Sequence, residues 1–278
     1  MTATSTLLAP SRIVRVGFSR IRYEVQGYFR QGDAVFFTFL FPVVMLTIFS
    51  VAFSEQSFGK DAAGHTVSAA SYYLPGMLAA GVLLSGLQNL AIDIAGEKSD
   101  GTLKRLAGTP LSVISYFIGK IGRALLTGIA QAALLLVLAG LAFGVKLPTD
   151  VGAWCTFAWV FLLGVSTCAI LGIGLSALPR SGKSATAVII PIVLILQFIS
   201  GVYLTFTGLP VWLQNFASIF PLKWLAQGMR SVFLPSTFEA AEAGSTWNLP
   251  GVAVVLGIWL IVGLIAARLT FRWIRKDS

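Results

Sequence analysis

The sequence predicts an all-α, polytopic membrane protein, and three observations carry that prediction. First, 56% of the 278 residues are hydrophobic and only 11% are charged, against about 25% charged in a soluble domain. Second, apolar runs of about twenty residues recur along the chain, each long enough to cross a ~30 Å hydrocarbon core as a helix. Third, the basic residues cluster beside those runs, mainly on alternate sides. Helix is dictated because backbone polar groups in lipid must be satisfied within their own segment. The mean hydropathy of +0.84 agrees.

The N-terminal segment, 10–31, reads as an amphipathic interfacial helix. Val14, Phe18, Ile21, Val25 and Tyr28 fall on one helical face, and Arg12, Arg15, Ser19, Arg22, Gln26 and Arg30 on a neighbouring one. Such a helix lies in the headgroup plane, apolar side down, with arginines on anionic lipid. It lacks the apolar core and cleavage site of a signal peptide.

Six spans follow within 34–269, at about 34–53, 72–95, 121–143, 152–178, 185–206 and 251–269. Fourteen basic residues then fall on one side. They are Arg12, Arg15, Arg20, Arg22, Arg30, Lys98, Lys104, Arg105, Arg180, Lys183, Arg268, Arg272, Arg275 and Lys276. Lys120 and Arg123 lie near the same face, and only Lys60, Lys146, Lys223 and Arg230 are opposite. The positive-inside rule makes the fourteen cytoplasmic, so both termini are inside a plasma membrane.

Residues 208–249 tempt a seventh span. Pro210, Asn215, Pro221, Lys223, Gln227 and Arg230 break them into pieces of about a dozen residues, which suit an outer re-entrant or interfacial segment. Trp212, Trp224 and Trp247 fit an aromatic belt there.

The polar chemistry is sparse. Cys155 and Cys168 fall in one apolar run and read as core thiols. His65, the only histidine, sits in the polar loop 54–71. There is no metal-ligand cluster, no nucleophile elbow and no paired intramembrane carboxylates. Gly182-Lys183-Ser184 resembles the tail of a phosphate-binding loop, but Ala177 stands where that motif needs glycine. No nucleotide site is expected in the chain. The net charge of +9 reads as topology and lipid contact, not nucleic-acid binding. Asp93 lies near the inner end of the second span, and Lys120 and Arg123 are expected to snorkel to the inner headgroups. Pro42, Pro75 and Pro191 are candidate kinks. Gln131, Ser166, Thr167, Gln197 and Ser200 are the mild polar groups within spans. Phe37 and Phe41, from a phenylalanine-rich first span, together with Gln197 and Ser200, are candidates to line a pathway.

The most informative stretch is the charged segment 96–112 between the second and third spans. It reads Glu97, Gly101, Thr102, Leu103, Leu106, Thr109 and Pro110, with Lys104 and Arg105 between. That spacing resembles the pattern Glu-x-x-x-Gly-Thr-Leu-x-x-Leu-x-x-Thr-Pro after the second span of type-2 ATP-binding-cassette exporter permeases. Pro221 and Arg230 resemble that family's Pro-x8-Arg stretch before the last span. The general look is that of the daunorubicin-resistance-type drug exporters.

The resemblance implies a transport subunit that is no enzyme itself and is driven by a separate ATPase subunit, which holds ATP and Mg. That subunit would press on a short helix at Gly101–Pro110 and on the N-terminal helix around Arg15, Phe18, Arg22 and Val25. Gly101 would allow the turn, Pro110 would end the helix, and Glu97 would pair with a base on the ATPase or with the N-terminal arginines. A second copy or a paralogue would complete the pathway for a hydrophobic or amphipathic substrate. The residues alone leave an ion-coupled carrier, a membrane scaffold and a lipid-modifying enzyme as alternatives.

Overall fold

A computed structural model describes residues 10–61, 63–179, 181–242 and 244–271, and these are helical with loops. Ten helices can be named: α1 (Pro10–Phe29), α2 (Gly32–Ala52), α3 (Ala69–Ser99), α4 (Thr102–Ala107), α5 (Val113–Phe143), α6 (Val151–Leu175), α7 (Gly182–Ile199), α8 (Val211–Ala217), α9 (Pro221–Phe233) and α10 (Leu249–Thr270). Six of them, α2, α3, α5, α6, α7 and α10, are long and apolar enough to cross a membrane.

The helix starts are written locally. The side chains of Ser68, Ser112, Asp150, Ser181 and Asn248 each accept a first-turn backbone N–H, satisfying donors that have no intrahelical partner. At Ser181 the bond is reciprocated by Ser184, so Gly182-Lys183-Ser184 is simply the capped first turn of α7. Pro75 and Pro191 lie inside α3 and α7, and Pro42 follows a π-helical turn at Phe36–Leu40.

The span ends differ from the sequence expectation. α3 continues to Ser99, so Glu97 and Lys98 sit in its last turn. α5 begins at Val113 rather than 121. At ~1.5 Å per residue, each of these 31-residue helices exceeds the hydrocarbon thickness by roughly three turns. Apolarity alone misses such overhangs because charged residues, Glu97 and Lys98 in one and Lys120 in the other, interrupt the apolar runs there. α7 stops at Ile199, and Gly201 follows with a φ of +77°.

α3 is the central span: 83% of its most apolar stretch is buried within the chain, against 17% for α2 and for α10. Leu74, Met77, Leu78, Val82 and Leu83 are buried among α2, α5, α6 and α9. α3 and α6 approach closely because of two glycines. A β-carbon at Gly172 would lie 2.8 Å from the carbonyl oxygens of Gly86 and Leu87, and one at Gly86 would lie 2.8 Å from the Cβ of Cys168. Small residues at such crossings substitute dispersion contact for the hydrophobic effect that lipid does not supply. Cys168 is buried and Cys155 exposed, both as free thiols.

The 208–249 region does not cross the fold as a seventh span. α8 has seven residues and α9 thirteen. α9 is no peripheral piece, however. Leu222, Leu225, Ala226 and Met229 are fully buried against α3, α6 and α10. Its polar stripe is buried as well, under the 234–248 loop. Gln227 donates to the carbonyls of Thr246 and Trp247 at 3.2 and 2.9 Å. Arg230 makes a two-pronged pair with Glu242 and donates to Gly201 O at 3.3 Å. The tryptophan belt is corrected in part. Trp212 is exposed, whereas Trp224 turns inward and donates from its indole N–H to Ser218 O at 2.7 Å.

The two ends of the bundle are distinct. One carries α1, α4, the start of α7 and the end of α10, where Phe271 stacks on Tyr116 and meets Phe117 edge to face. The other carries the 53–68 loop and the 200–248 segment, tied by Thr237 donating to Lys60 O at 2.8 Å. The first and last described helices therefore end on the same side. Arg180, Arg272, Arg275 and Lys276 lie outside the described residues.

Candidate functional site

α1 does not simply float on lipid. It packs along the first half of α5 through Ile13, Gly17, Arg20, Ile21, Glu24 and Tyr28. Three glycines set the distance. A β-carbon at Gly17 would meet Ile118, one at Gly119 the stem of Arg20, and one at Gly122 the side chain of Ile21, all under 3.0 Å. This splits the predicted apolar stripe. Ile21 and Tyr28 face α5, while Val14 and Phe18 remain exposed, Phe18 by 64%. Arg15 and Arg22 are exposed and Val25 is half-buried. Ser115 Oγ ties the start of α5 to α1 by donating to Ile13 O at 2.8 Å.

Between α1, α3 and α5 lies a buried ion-pair cluster, and here the snorkelling expectation fails. Lys120 is fully buried, and Arg123 nearly so. The ammonium of Lys120 reaches three carboxylates, with Nζ 2.8 Å from Glu24, 2.5 Å from Asp93 and 2.7 Å from Glu97. An ammonium has three N–H donors and no acceptor, so three carboxylates saturate it. Arg123 Nη1 donates to Asp93 at 2.8 Å, and Arg20 Nη2 lies 2.9 Å from Glu24. The hydroxyl of Tyr116 donates to Glu97 Oε2 at 2.6 Å. Arg20 and Lys120 also stand over the Tyr116 ring.

The charges balance: Glu24, Asp93 and Glu97 against Arg20, Lys120 and Arg123. Glu97 accordingly pairs with Lys120 and Tyr116 of its own chain, not with an outside base or an N-terminal arginine. The acids Asp93 and Glu97 stand at i, i+4 on α3, and the bases Lys120 and Arg123 at i, i+3 on α5. Each pair therefore occupies one helical face, which is the sequence signal that a facing arrangement was available. Glu24, contributed from α1, carries no such signal. Three carboxylate oxygens within 4.8 Å of one another form the kind of group that could hold a cation, but the Lys120 ammonium already lies among them.

A second link joins α1 to α2 and α3. Tyr28 Oη donates to Ala34 O at 3.2 Å, Thr38 Oγ1 donates to the same carbonyl at 2.8 Å, and Asn89 Nδ2 donates to Thr38 Oγ1 at 2.7 Å. Burial raises the Tyr28 phenol above its ordinary value, which keeps it a neutral donor.

The 96–112 segment forms a short helical arm beside this cluster. Gly101 takes a φ of +78°, a left-handed conformation that costs a residue with Cβ about 1–2 kcal/mol. Asp100 Oδ1 accepts the Thr102 N–H at 2.8 Å, and α4 follows. Leu103 is buried and anchors α4, while Lys104 and Arg105 are exposed. Leu106 is half-buried, and Thr109 and Pro110 are exposed beyond the helix end. Pro110, Arg12 and Ile13 border a shallow cavity of about 240 Å³ between the arm and the start of α1.

The pathway candidates are placed separately. Phe37 is about half-exposed and Phe41 half-buried on α2. Gln197 is buried and accepts the Tyr203 hydroxyl, and Ser200 is fully buried.

The sequence model of the family described as ABC-2 type transporter matches residues 18–234. Two curated relatives from Escherichia coli K12 show what the chain is similar to. The inner membrane transport permease YadH is 21% identical over 197 residues, which is 69% of this chain and 74% of the relative. The probable multidrug ABC transporter permease YbhR is 22% identical over 186 residues, which is 67% of this chain but only half of the relative. Since the family match covers well over half the sequence, including α1 from Phe18 onward, the charge cluster and α4, the chain belongs to the ABC-2 type transporter family and is a transport permease of an ABC transporter.

Proposed function

We propose that this permease is the membrane half of an ATP-driven exporter in the plasma membrane, with both termini and α4 on the cytoplasmic side. A separate ATPase subunit, carrying ATP and Mg, docks on Lys104, Arg105, Thr109 and Pro110 and on the start of α1. Two such subunits serve two permeases, either two copies of this chain or this chain and a paralogue.

The observation that carries the reading is mechanical. α4 is an exposed arm hung on Gly101, and the helices on either side of it are locked to α1 through the Lys120 cluster. A push on α4 or α1 therefore displaces α1, α3 and α5 together, because no member can leave without stranding a buried charge. Packed elements of this kind move between discrete arrangements rather than deforming continuously. Thr102 and Leu103 hold the arm's inner side, so its motion passes into α3.

The substrate class proposed is hydrophobic or amphipathic, such as a drug, an antibiotic or a lipid-like molecule. It leaves from the cytoplasm or the inner leaflet past Phe37 and Phe41, with Gln197 and Ser200 exposed to it only if α7 moves away from Tyr203. The mainly apolar spans support this class, and one relative is named as a probable multidrug permease.

The test is co-purification of the full chain with an ATPase encoded beside it, with and without Arg105→Glu. The proposal expects a complex that Arg105→Glu weakens about tenfold or more while the permease still folds. If no ATPase binds, an ion-coupled carrier or a scaffold takes its place.

A further inference from the structure

Two cavities adjoin at the end of the bundle that carries α1 and α4. One, of about 400 Å³, is polar and lies between the second half of α1 and the end of α3. The other, of about 170 Å³, is more apolar and reaches between α2, α3 and α7. Arg123, Asp93, Tyr28 and Gln31 border both. Arg30, Glu97 and Asp100 line the polar one, and Phe37, Ile92 and Ile190 the apolar one. The whole is a cleft lined by charged and polar side chains at one end and by more apolar ones at the other, beside α1.

One donor in its wall is unspent. Arg123 borders both cavities and is 97% buried, and while Nη1 serves Asp93, Nη2 lies just behind the wall with almost no accessible surface and has no hydrogen-bond partner. Leaving a buried charged donor unmet is costly. The occupant must therefore bring an acceptor, and an acidic group suits a guanidinium best. Yet the surrounding cluster is already neutral, so an added anion alone would tip it negative. A zwitterion meets the guanidinium without changing the balance. Asp100, exposed on the rim with only Oδ1 engaged by Thr102, offers a carboxylate to its cationic end.

We propose that this cleft binds one phospholipid with a primary-amine, zwitterionic headgroup. Its phosphate lies on Arg30 and draws Arg123 Nη2 out of the wall to meet it, its ammonium lies on Asp100, and one acyl chain runs along Phe37, Ile92 and Ile190. A trimethylated ammonium has no N–H to donate, so choline lipids bind less well. The site needs only the membrane placement of the chain and is independent of where an ATPase docks.

The test is retention of added lipid by the purified full chain in detergent, read by native mass spectrometry. Phosphatidylethanolamine, phosphatidylcholine and phosphatidylglycerol with identical chains are compared, alongside soluble phosphorylethanolamine and inorganic phosphate. The ethanolamine lipid should be retained about tenfold over the choline lipid, the worth of one charge-assisted hydrogen bond. Asp100→Asn, which keeps an oxygen for Thr102, should erase that preference. Ile190→Trp should lower retention of every lipid by filling the apolar half. Equal retention of the three lipids, a preference for the glycerol lipid, or a preference untouched by Asp100→Asn would overturn the proposal. So would competition by either soluble compound at concentrations comparable to the lipid, which would make the occupant a free anion.

Discussion

Replacing Lys120 by methionine isolates the cluster. The side chain is fully buried and its ammonium lies 2.5–2.8 Å from three carboxylates. Methionine fills a similar volume, so packing changes little, but three acids then face only Arg20 and Arg123. Breaking a buried ion pair by removing one partner costs about 3–5 kcal/mol, and three partners are stranded here. Some of that cost is relieved by water reaching Glu97, which is 17% exposed, so the lower half of the range is expected. The assay is equilibrium unfolding of the purified full chain in mixed micelles. A second substitution sharpens the result. Glu97→Gln removes one of the stranded charges and returns the cluster to neutrality, so the double variant should be more stable than the sum of the singles by roughly 1–3 kcal/mol. A loss below about 1 kcal/mol for Lys120→Met, the scale of an exposed pair, would refute the reasoning. Strict additivity of the two changes would refute it equally.

Three further outcomes follow from local geometry. Gly172→Ala should destabilise by about 1–3 kcal/mol, because the new methyl meets two carbonyl oxygens at 2.8 Å, whereas Gly257→Ala, which meets nothing within 4 Å, should be neutral or slightly stabilising in the same unfolding assay. Glu242→Gln should cost about 3 kcal/mol by leaving the Arg230 guanidinium buried without its counter-ion, and limited proteolysis should then cut the 234–248 loop faster. In the 54–71 loop, the His65 backbone N–H holds the Asp61 carboxyl below its ordinary value of 3.8. A depressed value means the turn is supported above the unfolded value and loses that support as pH falls through the folded one. The amide resonances of Ala63 and His65 should therefore titrate with a midpoint below 3.8, and a midpoint at or above it would mean the turn is not formed.

The spans were readable because a bilayer demands a fixed length of apolar helix, and the six match the six apolar runs. The turn at Gly101 was readable for the same kind of reason, since it depends on one residue's backbone, whereas the helix after it ends at Ala107, before the expected stop at Pro110. What the sequence hid depends on distant partners. Lys120 and Arg123 look like interfacial cations until Glu24, 96 residues before Lys120, is brought against them. That approach is made possible by Gly17, Gly119 and Gly122, small residues whose matching positions on two helices show only once the helices are paired. Polar residues at Lys223, Gln227 and Arg230 suggested a surface piece, yet Glu242 and the carbonyls of Thr246 and Trp247 satisfy Gln227 and Arg230 inside. A consequence concerns Glu97. Reversing its charge probes the cluster rather than a docking surface, so α4 must be tested at Arg105.

The central claim is that α4 faces the cytoplasm and is covered by the ATPase. It is tested most directly by placing a single cysteine at Arg105, with Cys155 and Cys168 replaced by serine. A membrane-impermeant thiol reagent is then applied to right-side-out and inverted vesicles, with and without the ATPase. The account predicts labelling only in inverted vesicles, and protection when the ATPase is present. Labelling from the outer face, or labelling that the ATPase leaves unchanged, would contradict it.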